Sequence, residues 1–331
     1  MQYELRTQVI EPQRKTFDHL VARYGDRPAT RYEEGTVDVQ AKENFHFRPL
    51  WDPSKEIYDE DFSALKLTDP YSFLDPRQFY YAPYVTSRAG ISDAFSTTLD
   101  YIEGRGLLGR LPAGWREVLA DVVVPTRHYE SGAQLISVDV ARFGFGTSIT
   151  QCAAYAGFDR IGNAQQLSRV GIALGEQTTA VLTNAKATWV EDESMQGLRK
   201  FIEETITERD WGVSLVALDT MDQVFYGLLY GHLDEAAIDA GAGTYSLIAT
   251  HFSDWFKDQR RWLDVLSKAW QADPEHGEAN AALLAETVNR TLDTSSSALA
   301  PLVAAIDSHV DADCGPALDI AIAALRPTTA S

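Results

Sequence analysis

From Tyr84 onward the apolar positions recur at the three-to-four spacing of a helix that buries one side. Tyr84, Ile91, Phe95, Leu99 and Ile102 form a first stripe, which Gly104 and Gly106 close. Leu111 and Pro112 open a second helix, whose face of Trp115, Leu119 and Val122 runs as far as Pro125. Residues 132–155 are apolar or small nearly all round, a pattern that predicts a helix at the centre of a bundle. Further helices are predicted over about 160–187, 192–209, 212–230, 233–250 and 252–271, with a last group after Asp273 and Pro274. Between Tyr245 and Trp270 the amphipathic form is clear. Tyr245, Ile248, Phe252, Trp255, Phe256, Trp262, Leu263, Leu266 and Trp270 keep to one broad face, and Asp254, Lys257, Asp258, Arg260, Arg261 and Lys268 take the other. No alternating strand set and no repeat of fixed period is visible, so the fold class is all-α, with a bundle favoured over a solenoid.

Residues 1–83 have a different texture and form a separate N-terminal arm ahead of a helical domain over 84–331. Prolines at 28, 49, 53, 70, 76 and 83 fix φ and restrict the residue before each, so no long helix can pass and the arm is expected to be mostly extended. Its aromatic side chains are too many to leave in water and need a surface. That surface is either the chain's own helices or another subunit, and Phe45, His46, Phe47, Arg48, Pro49, Leu50, Trp51, Phe79, Tyr80 and Tyr81 are the expected partner contacts.

Composition narrows the function classes. The 48 acidic residues outnumber the 29 basic ones by 19, which opposes general affinity for nucleic acid or anionic membrane. No apolar run reaches the roughly 18 residues of a membrane span, and the first 15 residues mix charges into any would-be signal core. Cys152 and Cys314 have no second thiol at metal or redox spacing, so a reduced, cytoplasmic setting is expected.

Candidate chemistry is sparse. Gly104, Gly106 and Gly109 spell a Gly-x-Gly-x-x-Gly, but after a helical stripe rather than a strand, so a helix-to-helix turn explains them better than a dinucleotide site. Residues 240–244 read as another helix junction. A carboxylate-bridged diiron site needs a Glu from each of two helices and a Glu-x-x-His from each of two more. Of the seven histidines, His46 alone follows a Glu at that spacing, Glu43, and this pair lies in the Pro-rich arm; His276 follows Asp273 across Pro274, which reads as a turn. Residues 158–165 resemble the metal-binding helix of a diiron catalytic subunit, a resemblance that implies a His near Gly162 or Asn163; Arg160 brings there a positive charge that disfavours a metal cation, and an ordinary core Arg turned toward a carboxylate is the preferred reading. No catalytic, cofactor-binding or metal-ligating residue is assigned.

Three segments carry a family resemblance: residues 23–34 (Arg-Tyr-Gly-Asp-Arg-Pro-Ala-Thr-Arg-Tyr-Glu-Glu), residues 44–53 (Asn-Phe-His-Phe-Arg-Pro-Leu-Trp-Asp-Pro) and residues 75–81 (Asp-Pro-Arg-Gln-Phe-Tyr-Tyr). They resemble the β subunits of the hydroxylase component of bacterial diiron multicomponent monooxygenases, most of all the phenol hydroxylases. The resemblance implies a ferritin-like bundle without a metal site and a non-catalytic subunit that supports a diiron α subunit. That α subunit would insert one oxygen atom from O2 into an aromatic substrate with NADH-derived electrons. It also implies a small γ subunit, a paired (αβγ)2 assembly, and an effector protein and a flavin, iron-sulfur reductase acting on the complex. A β subunit of an alkene or alkane diiron monooxygenase and an unrelated helical scaffold are the alternatives.

Overall fold

The computed structural model describes residues 17–41, 52–54, 56–57 and 59–327. Among these the regular elements are helices, and no strand is present. Two short helices lie in the arm, α1 (Asp18–Tyr24) and α2 (Arg31–Thr36). The body follows with α3 (Tyr81–Gly104), α4 (Ala113–Glu117), α5 (Arg127–Phe143), α6 (Thr147–Leu174), α7 (Ala180–Glu191), α8 (Glu193–Ile206), α9 (Trp211–Gly227), α10 (Leu233–Asp239), α11 (Gly243–Gln271), α12 (Gly277–His309) and α13 (Cys314–Leu325). α5 lies along α6 and also packs on α8 and α9, α12 covers α8 and α9, and α11 closes the body against α3 and α10. The all-α expectation holds.

Several helix boundaries differ from the sequence expectation, three of them for a clear physical reason. Pro125 does not end a helix: the chain passes through a π turn at Val118–Val123 and a 3-10 turn at Val124–Thr126 directly into α5. The change of winding removes the need for the N–H that proline lacks. The apolar run over 132–155 breaks into α5 and α6 at Gly144–Gly146. Gly146 has φ +96°, and a β-carbon there would lie 2.7 Å from Cβ of Pro70, so the turn is tight because the arm crosses it. Conversely, the expected boundary near 250 is absent, and α11 runs unbroken over 29 residues, ending in Gln271. Its predicted face is the buried one, with Tyr245, Ile248, Phe252, Trp255, Trp262, Leu263, Leu266 and Trp270 all in the core.

The described part of the arm is mostly non-helical, with two short helices, and it packs on the body. Thr30 caps α2 in a capping box with Glu33, each side chain bonding the other residue's backbone N–H. Leu20, Val37 and Tyr71 form a small cluster of their own, and Phe62, Leu65 and Phe73 enter the core beside Val140, Phe143, Ile149 and Trp262. Polar contacts fix the path. Thr36 donates to Gln151 at 3.0 Å, Gln40 accepts from the Gly146 N–H at 2.6 Å, and Asp210, the N-cap of α9, accepts from Ser63 and Ala64. Asn280 on α12 donates to the Lys66 carbonyl and accepts from its N–H, and Asp273 accepts from Thr68. Burial against its own helices and these bonds offset the ordering entropy of the described arm.

Candidate functional site

The buried ionic cluster at the centre of the body is built by four helices. α5 places Tyr129 and Glu130, α6 places Arg160, α9 places Asp222 and Tyr226, and α11 places Trp255. Each of these sits on the inward stripe of its helix, and Arg160 is 1% exposed. One end of the Arg160 guanidinium donates to Asp222 Oδ2, and the other donates to the Tyr226 hydroxyl and, at 3.3 Å, to Glu130 Oε2. Tyr226 in turn donates to Glu130 Oε1, and Tyr129 donates to Asp222 Oδ1 at 2.7 Å. The guanidinium carbon stands 5.0 Å from the Trp255 ring centroid, a cation–π distance. Arg160 Nε finds no hydrogen-bond partner among the described residues.

The charge balance of this cluster is one guanidinium against two carboxyl groups. Burial pushes the Asp222 carboxyl up to about 7, against the pull of Arg160 and the hydrogen bond from Tyr129. Burial likewise holds the Tyr226 and Tyr129 hydroxyls neutral, far above the ordinary range, so both remain donors. The expectation that Arg160 is a core arginine turned toward a carboxylate is met twice over.

The cluster does not fit a diiron centre. A Glu-x-x-His would need a histidine three residues after a ligating Glu on an inward stripe. Three residues beyond Glu130 stands Ala133, and three beyond Asp222 stands Phe225, both fully buried. Asn163 is buried three residues beyond Arg160, while a β-carbon at Gly162 would face open space. The cation position between the carboxylates is taken by Arg160 itself. Among the described residues no group of three or more His, Cys, Asp and Glu side chains could hold a metal ion. His276 ends a turn in which Asp273 accepts from the N–H groups of Glu275 and His276 ahead of α12. His46, with Glu43, lies outside the described residues.

A second ionic cluster explains the Asp75 to Tyr81 motif. Arg77 pairs with Asp75 at 3.0 Å and Asp258 at 3.4 Å, and Arg88 pairs with Asp159 at 2.7 Å and Asp258 at 2.8 Å. Phe79 lies beneath both guanidiniums, with centroid distances of 4.7 and 5.1 Å, and meets the Tyr84 ring edge-on. The motif latches the end of the arm to α3, α6 and α11. Of the ten expected partner contacts, Phe79 is therefore buried within the chain, Tyr80 is half-buried and Tyr81 is 75% exposed. Residues 45–51, Phe45, His46, Phe47, Arg48, Pro49, Leu50 and Trp51, lie outside the described residues.

Two histidines sit in apolar surroundings and carry a pH signature. His251 lies 4.5 Å from the Phe95 ring and 5.1 Å from that of Phe252, and burial pushes it down to about 4. His128, stacked on Trp189, is also pushed down to about 4. Between that value and the ordinary 6.5 the unfolded chain binds more protons than the native one, so stability from these groups is full above pH 6.5 and falls as pH drops toward 4. His251→Phe is expected to lose less stability than the natural chain between pH 7 and pH 5. Urea midpoints at the two pH values measure this, and equal losses would remove His251 from the account.

These features meet in a known family. Residues 51–274 match the model of the methane, phenol and alkene hydroxylases. The chain is 36% identical over 274 residues, 82% of its length and 83% of the relative's, to the phenol 2-monooxygenase oxygenase component DmpL of Pseudomonas sp. strain CF600. It is 35% identical over 302 residues, 91% of its length and 90% of the relative's, to the MhpL oxygenase component of Acinetobacter pittii strain PHEA-2. The crystal structure of xenon-pressurized phenol hydroxylase from Pseudomonas sp. OX1 superposes with a TM-score of 0.85 at 33% identity, covering 99% of this chain and 100% of that one. The fold and the matches define a ferritin-like hydroxylase polypeptide of the diiron monooxygenases. The chain belongs to the methane, phenol and alkene hydroxylase family, on its phenol hydroxylase side. Among the described residues no helix is long and apolar enough to cross a membrane.

Proposed function

We propose that this chain is the non-catalytic β subunit of a phenol-type hydroxylase, holding no metal itself and supporting a diiron α subunit that oxygenates an aromatic substrate with NADH-derived electrons. The observation that carries the reading is the Arg160 cluster. The inward positions of α5, α6 and α9 hold a guanidinium, two carboxyl groups and two tyrosines, with Trp255 of α11 against the guanidinium, and no Glu-x-x-His among them. A buried cation held by direct hydrogen bonds leaves a second cation no ligands and strong repulsion. A small γ subunit and a paired (αβγ)2 assembly complete the proposal, with an effector protein and a flavin, iron-sulfur reductase acting on the whole. Tyr80 and Tyr81 remain partner contacts in this reading, together with residues 45–51.

The test is iron analysis. Expressed alone in iron-rich medium, the chain is expected to carry far less than one iron per polypeptide and to leave phenol unchanged. Co-expressed with the large diiron subunit of the same organism, it is expected to co-purify with an iron-loaded, active complex. Stoichiometric iron with a carboxylate-bridged diiron spectrum in the isolated chain would overturn the reading.

A further inference from the structure

Three tyrosines of the body each donate their hydroxyl to a carboxylate on another helix. Tyr129 of α5 donates to Asp222 Oδ1 of α9 at 2.7 Å, Tyr226 of α9 to Glu130 Oε1 of α5, and Tyr84 of α3 to Asp159 Oδ1 of α6 at 2.8 Å. In the central cluster the division is symmetric, since Asp222 and Glu130 each give one oxygen to Arg160 and the other to a tyrosine. Other buried aromatics lack such a base. The indole N–H groups of Trp211, Trp255 and Trp262 have no hydrogen-bond partner among the described residues, and Tyr245 donates to a backbone carbonyl. The rings also adjoin. Tyr129 lies 6.4 Å from Tyr226, and Tyr84, close to the surface at 8% exposure, is stacked on Tyr155 at 4.2 Å. Asp159 and Arg160, consecutive on α6, tie the Tyr84 pair to the central cluster.

This arrangement favours the loss of one electron. Burial alone opposes it, because a phenol cation radical would add an unpaired charge to the core. A carboxylate in contact removes that obstacle. When Tyr129 loses an electron, its hydroxyl proton crosses the existing hydrogen bond to Asp222 Oδ1, leaving a neutral tyrosyl radical and a neutral carboxylic acid. With both carboxyl groups ionised the cluster holds one guanidinium against two negative charges, so the same step removes its excess charge. Burial, which pushes Asp222 up to about 7, makes it a stronger base than an ordinary carboxylate; Arg160 of α6 and Glu130 of α5 are the charged groups that face it. Tyr129 is fully buried, so a radical there is shielded from solvent.

We propose that Tyr84, Tyr226 and Tyr129 form a redox line by which the chain absorbs stray oxidising equivalents, with Tyr129 as the resting place of the radical. The oxidants are radicals of oxygen chemistry, of the peroxyl class, which take one electron at the surface end and a proton from water to become hydroperoxides. Tyr84 supplies that electron while its proton moves to Asp159. Tyr226 and then Tyr129 refill the hole, and each re-reduced tyrosine recovers its proton from its own carboxylate. A small one-electron reductant, an enediol or a thiol, finally restores Tyr129 with the proton held on Asp222. The line needs only this chain and an oxidant, so it stands apart from the subunit reading.

The experiment uses the full-length chain at a pH above the value of about 7 set for Asp222. Photogenerated tris(bipyridine)ruthenium(III), with persulfate as terminal electron acceptor, oxidises it, and samples frozen at intervals are read by electron paramagnetic resonance. A neutral tyrosyl signal that outlives the radicals of the urea-unfolded chain at least tenfold is expected. Tyr129→Phe is expected to cut this signal at least fivefold, and so is Asp222→Asn, which keeps the tyrosine and removes its base. Tyr84→Phe is expected to slow the build-up, whereas Tyr101→Phe, at a 54% exposed position, leaves it unchanged. Circular dichroism and urea midpoints establish that each variant is folded. Radicals that decay in the natural chain as fast as in the unfolded one would overturn the proposal, as would an undiminished signal in folded Tyr129→Phe or Asp222→Asn. An equal loss with Tyr101→Phe would assign the signal to the surface and overturn it too. Should the cluster variants fail to fold, Tyr84→Phe decides, because it leaves the centre intact, and an undiminished build-up there removes the line.

Discussion

Arg160→Met is expected to destabilise the chain by about 3–5 kcal/mol, because it leaves Glu130 and Asp222 buried without their cation. Methionine nearly fills the volume, so the loss is electrostatic rather than a packing defect. Its pH dependence identifies it. In the natural chain burial already pushes Asp222 up to about 7, so its carboxyl binds a proton in the native state more readily than in the unfolded one. Without Arg160 the Asp222 carboxyl loses the cation that favours its charged form, and the native state takes up a proton that the unfolded state releases. Stability then rises as pH falls from the raised native value toward the ordinary carboxylate value near 4. The deficit should therefore be largest near pH 8 and smaller at pH 5, as read from urea midpoints at each pH. Removing the whole set, Arg160→Met with Glu130→Gln and Asp222→Leu, should restore a large part of the loss, since replacing a complete buried ionic group costs far less than breaking it. A single variant that loses less than about 1 kcal/mol would show that the cluster does not hold the helices.

The parts of this arrangement that sequence reading reached are those governed by local periodicity. The face of α11 repeats on one helix and needs no knowledge of its neighbours, so the expected residues are the buried ones. The glycines near 104 and 241 break helical stripes and are junctions for that reason; Gly106 and Gly241 adopt φ of +60° and +71°. Arg160 could be read as a core arginine because a lone cation stood in an apolar helix. Its partners could not be read, since Glu130 and Asp222 lie 30 and 62 residues away and only the packing of α5, α6 and α9 joins them. Each did leave a trace, a single carboxylate on an otherwise apolar inward stripe, flanked by Tyr129 and Ala133 or by Met221 and Phe225. The break at Gly144–Gly146 was hidden because both glycines sit in an apolar run, where burial masks the turn signal. The short helices of the arm and its packing partners were not legible for a related reason. Its prolines exclude long helices but not one-turn or two-turn ones, and the salt bridges that bury Phe79 join Arg77 to Asp258, 181 residues away.

Gly197→Val is expected to be strongly damaging although glycine makes no polar side-chain contact. α8 crosses α12 at Gly197 so closely that a β-carbon would stand 2.2 Å from the Ala298 carbonyl oxygen and 2.6 Å from its Cα. These are backbone atoms of a 33-residue helix, so no rotamer change makes room. The two helices must separate or α8 must slide. Either movement pulls Leu198, Phe201 and Ile202 away from Leu299, Leu302 and Val303, all of them in the main core. Overpacking of a tight core typically costs about 1–3 kcal/mol, and with a backbone clash followed by lost apolar contacts the total should exceed about 3 kcal/mol. Gly197→Ala carries the same first atom and should lose most of that amount, although alanine favours an isolated helix by roughly 0.8–1.0 kcal/mol over glycine. Propensity and packing thus oppose each other at one position. A peptide of residues 193–206 should gain helicity with Ala at 197, while the full chain loses stability in urea. A full-length Gly197→Ala chain as stable as the natural one would show that α8 and α12 do not approach at this distance.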